Sequence, residues 1–124
     1  MKRVSFNVAK AIKQAGYPQE KKDGTALYPV KGEFKGKLCG YNSDAPERDK
    51  LSIVAPTYFE VWDWLWREKK CYIQPELCFK SNNESSFVCI DKINHIALVK
   101  SSSQDPEEAI IAAIEYLAEN NLLK

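Results

Sequence analysis

Histidine occurs once in this chain, at His95, and the four cysteines show neither C-x-x-C nor any comparable close spacing. Structural zinc is held by short-range Cys or His pairs, so no metal site and no cofactor are expected. A phosphate loop is missing too. Gly32-x-x-x-Gly36-Lys37 lacks the full spacing and the Ser or Thr that must follow the lysine, which excludes P-loop nucleotide hydrolysis. No apolar run approaches the ~20 residues that span a bilayer, and Met1-Lys2-Arg3 leads into Ser5-Phe6-Asn7 rather than an apolar signal core. A cytoplasmic protein with no membrane segment is expected. With nothing to indicate export, Cys39, Cys71, Cys78 and Cys89 read as free thiols. Repeats are absent, and low complexity is confined to Ser101-Ser102-Ser103.

What the chain does contain is enough to fold. At 124 residues, 44% hydrophobic and 28% charged, it has the composition of one α+β domain spanning residues 1–124. Its formal net charge of +1 conceals a gradient. Residues 1–37 carry nine Lys or Arg against three acids, whereas residues 101–124 carry one against five. One end of the sequence is basic and the other acidic.

Helix signals are clear at three places. Ser5 is a good N-cap, Val4 can staple against Ala9, and Gly16-Tyr17-Pro18 stops the segment, predicting a helix from Phe6 to Ala15 with Val8, Ala11, Ile12 and Ala15 inward. Thr57 and Glu60 have capping-box spacing and predict a helix to about Lys69 or Lys70. Asp105 before Pro106-Glu107-Glu108 predicts a last helix to about Asn120, with Ala109, Ile110, Ala113, Ile114, Leu117 and Ala118 inward and Glu108, Glu115 and Glu119 outward. Between Tyr17 and Pro56, four of the five glycines and four of the six prolines rule out helix. Short extended pieces are expected there at Ala26–Val30, Lys37–Tyr41 and Leu51–Val54, with Asn42–Lys50 as an exposed loop. Cys71–Phe79, with Pro75 marking an edge strand or bulge, and Ser86–Asp91 predict a hairpin turning at Lys80–Ser85. His95–Lys100 predicts a third strand. The architecture expected is three helices on a small, mostly antiparallel sheet.

All three tryptophans fall in the second helix. At ~100° per residue, with Tyr58 at 0°, an apolar arc from about 300° to about 100° holds Val61, Leu65, Tyr58, Trp62, Trp66 and Phe59. Trp64 lies outside it, among Glu60, Arg67 and Glu68. This pattern predicts a buried Trp62, a Trp66 near the edge of the inward face, and a Trp64 at the polar boundary.

In order, these motifs are Val4-Ser5-Phe6-Asn7-Val8-Ala9 closed by Gly16-Tyr17, a tyrosine-bearing variable stretch, Ala55-Pro56-Thr57 opening a helix with Trp64-Leu65, a β-hairpin, and Pro106-Glu107-Glu108-Ala109 to Leu117. That order resembles small uncharacterised proteins encoded by bacteriophages and prophage-like elements of anaerobic gut bacteria, over nearly the whole chain. The resemblance implies an accessory protein of unknown activity and brings no site residues with it. Trp62, Trp66 and the long basic segment between Tyr17 and Tyr41 depart from the pattern.

Three kinds of chemistry are conceivable from the residues. A non-catalytic protein-binding or adaptor module would use Trp64, Trp66 and Phe59 as anchors, since exposed aromatics dominate protein recognition. Self-association through the same helix is a variant of that reading. Alternatively, Lys10, Lys13, Lys21, Lys22, Lys35 and Lys37, interleaved with Tyr17, Tyr28, Phe34 and Tyr41, would bind nucleic acid by charge and stacking. A thiol enzyme built on Cys89, Asp91 and His95 is the weakest of the three, because no helix N-terminus or basic cluster is evident to activate Cys89.

Overall fold

The computed structural model describes residues 2–41, 52–77, 86–92, 95–101 and 105–123. The expected Asn42–Lys50 loop and Lys80–Ser85 turn, and the side chain of Cys78, lie outside the described residues. The chain divides into two compact units, Met1–Thr57 and Tyr58–Leu123, each containing its own three-stranded antiparallel sheet. The class is α+β, with three helices among the described residues.

In the first unit, helix α1 (Phe6–Gln14) starts where the Ser5 hydroxyl accepts from the Val8 amide and ends at Ala15, before Gly16 at φ 100°. Val4, Val8, Ala9 and Ile12 are buried. The glycine-rich stretch does form strands, at the three positions expected but shorter: β1 (Ala26–Tyr28), β2 (Cys39–Gly40) and β3 (Ile53–Val54). β1 is central, pairing Leu27 with Cys39 on one side and with Val54 on the other. Such short strands need outside support, and side chains supply it. Gln19 Oε1 accepts from the Val54 amide while its Nε2 donates to the Tyr17 carbonyl. At the start of the chain, the Val4 amide donates to the Pro56 carbonyl and Arg3 Nη1 to the Ala55 carbonyl. Leu27, Tyr28, Ile53, Val54 and Ala55 complete the core.

The second unit holds helix α2 (Tyr58–Glu68), strands β4 (Tyr72–Leu77), β5 (Ser86–Lys92) and β6 (His95–Ser101), and helix α3 (Pro106–Glu119). The strands form a meander in the order β4-β5-β6. Pro75 pairs with Val88 on the edge strand β4, where a missing amide hydrogen costs least. α3 packs across all three strands, and α2 packs on α3 and β4. Asp105 caps α3 by accepting from the Glu107 amide, with Pro106 in the first turn as expected. Tyr58, Val61 and Leu65 meet Ile73, Ala109, Ile110, Ala113, Ile114 and Leu117 in the buried interior of this unit. Glu115, expected to face outward, is half-buried and accepts a hydrogen bond from the Tyr58 hydroxyl at 3.1 Å.

Candidate functional site

The apolar arc of α2 proves wider than its neighbours cover. Only Tyr58, Val61 and Leu65 are buried, a stripe spaced i, i+3, i+7. One residue further round, Phe59, Trp62 and Trp66 repeat that spacing, and there the helix opens. Phe59 is 45% exposed and Trp66 40%, while Trp62 is half-buried. With Asp63 and Arg67 they line a groove of about 740 Å³. The expectation that Trp62 is buried in the core is therefore corrected: burial on α2 stops at the Tyr58, Val61 and Leu65 stripe, and Trp62 is half-buried beside it.

Each wall of the groove is fixed by a contact. The Trp62 indole N–H donates to the Ile73 carbonyl of β4 at 3.0 Å, which satisfies its polar atom and anchors the ring beside the sheet edge. Phe59 lies against it, ring centroids 6.0 Å apart. Trp66 meets Tyr72 edge to face at 4.6 Å. Arg67 Nε donates to Asp63 Oδ1 at 3.0 Å, four residues apart on the helix, so the charged rim neutralises itself.

Trp64 has a different setting from Trp62 and Trp66. It is half-buried and does not line the groove; its ring lies under the Lys69 ammonium at 5.4 Å from the centroid. Of the three aromatic anchors anticipated, Phe59 and Trp66 share one site and Trp64 does not. Trp62 and Asp63 take its place. Sequence reasoning had a signal for this in Phe59-x-x-Trp62-Asp63-x-x-Trp66, a second helical stripe at i, i+3, i+4 and i+7.

No protein-family model matches the chain, and comparison with curated proteins and with solved structures finds no match.

The basic residues lie in the first unit. Lys10, Lys13, Lys22, Lys35 and Lys37 are exposed and Lys21 is half-buried. Among the aromatics proposed to stack, Tyr28 is withdrawn: it is buried and its hydroxyl donates to the Val4 carbonyl at 2.6 Å. Burial raises its pKa above 10.0. Tyr17 and Tyr41 are half-buried, whereas Phe34 is exposed. Cys89, Asp91 and His95 lie on β5 and β6, their side chains outside the described ones. In the register of β5 and β6, Cys89 pairs with Leu98, Asp91 with Ile96, and His95 with Lys92. Cys39 is half-buried and Cys71 buried. Among the described residues no three His, Cys, Asp or Glu side chains cluster as a metal site would require, and no helix is long and apolar enough to cross a membrane.

Proposed function

We propose that the chain is a non-catalytic, cytoplasmic binding module whose α2 groove receives a short apolar segment of another protein. An accessory role of the phage or prophage type is part of this proposal and rests on the order of motifs alone. The carrying observation is the exposure of Phe59 and Trp66 beside an anchored Trp62. Covering what each exposed ring leaves in water, roughly 80 Å², is worth about 2 kcal/mol per ring. Two such rings suffice for a specific contact once association costs are met by further contacts around them. The self-neutralised Asp63–Arg67 rim favours an uncharged apolar segment over a polyanion. On β4 the neighbouring edge carries Pro75 and an Ile73 carbonyl already taken by Trp62, which disfavours addition of a partner strand. The occupant is thus held by side chains.

Selection of displayed peptides on the immobilised full chain tests this. Peptides with two or three spaced apolar side chains should be enriched and should bind Trp66→Ala and Phe59→Ala at least tenfold more weakly. Both variants should fold as the parent does, unlike Leu65→Ala, whose fully buried side chain costs about 2–5 kcal/mol to remove. Selected peptides that bind Trp66→Ala unchanged would overturn the reading.

A further inference from the structure

Between β1 and β2 the chain makes a closed loop rather than a loose one. The Gly36 amide donates back to the Pro29 carbonyl at 3.0 Å, the Lys35 amide to Gly32, and the Lys37 amide to Phe34. Gly32 and Gly36, at φ 84° and 73°, supply the left-handed turns that this path requires. The loop is seated on α1: a β-carbon placed on Gly36 would lie 3.6 Å from the Phe6 ring, which itself packs edge-on against buried Tyr28 at 5.6 Å. The Lys10 ammonium sits 4.6 Å from the centre of the same ring. Phe6 thus meets both the Lys10 ammonium of α1 and the loop backbone at Gly36, the residue between Lys35 and Lys37.

In this loop Phe34, 51% exposed, and Leu38, 52% exposed, flank Lys35-Gly36-Lys37, whose lysines are exposed as well. An ordered backbone that presents a phenyl ring to water among cations is a stacking platform with counter-charges already positioned. We propose that this loop and the basic face of α1 bind single-stranded nucleic acid, Phe34 stacking on a base while Lys10, Lys35 and Lys37 hold flanking phosphates. Exposed Phe34 favours this ligand over an anionic bilayer. An exposed ring offers a face on which a base stacks, a contact that lipid headgroups do not make. The site is independent of the α2 groove and stands or falls apart from it.

The test is fluorescence anisotropy of the full chain with labelled mixed-sequence 15-mers of DNA and of RNA. Three phosphate contacts predict a slope of about −2 in log affinity against log salt, hence about 20-fold weakening from 50 to 200 mM. Phe34→Ala should weaken binding about 5- to 100-fold, and Phe34→Trp should restore it. Lys35→Ala with Lys37→Ala should reduce the slope by about 1.4, a change that loss of folding does not mimic. Circular dichroism of Phe34→Ala should match the parent. Absence of oligonucleotide binding, binding indifferent to Phe34→Ala, or retention only on phosphatidylserine vesicles would each overturn the proposal.

Discussion

Three tryptophans within five residues meet three fates because each has a different neighbour, not because their chemistry differs. Trp62 finds a carbonyl, Trp64 a lysine, and Trp66 a tyrosine edge with open space beyond it. The same dependence on surroundings governs Tyr28. Withdrawn from water and donating to the Val4 carbonyl, its hydroxyl prefers the protonated form in the folded state more than in the unfolded one. Its folded pKa is raised, so its contribution to stability is complete below pH 10.0 and is lost as pH rises through the folded value. Tyr28→Phe removes the hydrogen bond to the Val4 carbonyl, which should cost about 1–2 kcal/mol at pH 8. Urea unfolding of parent and variant at pH 8 and at pH 11 should show that difference shrinking at the higher pH. A constant difference would mean that the hydroxyl does not titrate with folding.

At the level of elements, helix starts were legible and helix faces were not fully so. Ser5 and Asp105 cap α1 and α3 because a short oxygen-bearing side chain before a helix has one favourable task, accepting from the free amides of the first turn. Helix ends are less explicit. α2 closes with the Cys71 amide donating to the Leu65 carbonyl, which forces Lys70 to φ 50°, a conformation that glycine occupies without strain. Lys70→Gly should therefore stabilise the protein by about 0.5–1 kcal/mol, visible as a raised denaturant midpoint with an unchanged slope. The strands between Tyr17 and Pro56 were legible only as short extended pieces. Three residues or fewer carry no periodicity, and it is Gln19 and the Val4–Pro56 bond that make a sheet of them. The groove on α2 escaped notice for the opposite reason: its aromatic stripe adjoins the core stripe and shares its spacing, so helical angles alone merge the two.

Over the whole molecule, the charge gradient in the sequence becomes a division between units. Met1–Thr57 contains eleven Lys or Arg against six acids, and the remainder of the chain seven against eleven. With an isoelectric point near 7.6, the protein is net negative at pH 8.5. A sulfonate resin at low salt should nevertheless retain it, because a concentrated positive surface binds locally within a Debye length of about 10 Å at 0.1 M salt. Replacing Lys10, Lys35 and Lys37 by Glu should abolish retention. Equal elution of parent and variant would show that those lysines do not form a patch.

The sequence by itself determined where helices begin, where glycine and proline forbid them, which two segments form a hairpin, and that the class is α+β. These depend on interactions within a few residues: a cap, a missing amide hydrogen, an alternation of apolar and polar side chains. Tertiary structure alone decided which part of an apolar surface is covered. Burial is a property of two surfaces, and the extent of α3 and β4 fixes where the cover over α2 stops. It stops at Tyr58, leaving Phe59 and Trp66 open, just as Phe6 and Gly36 decide that the loop before β2 holds Phe34 in water.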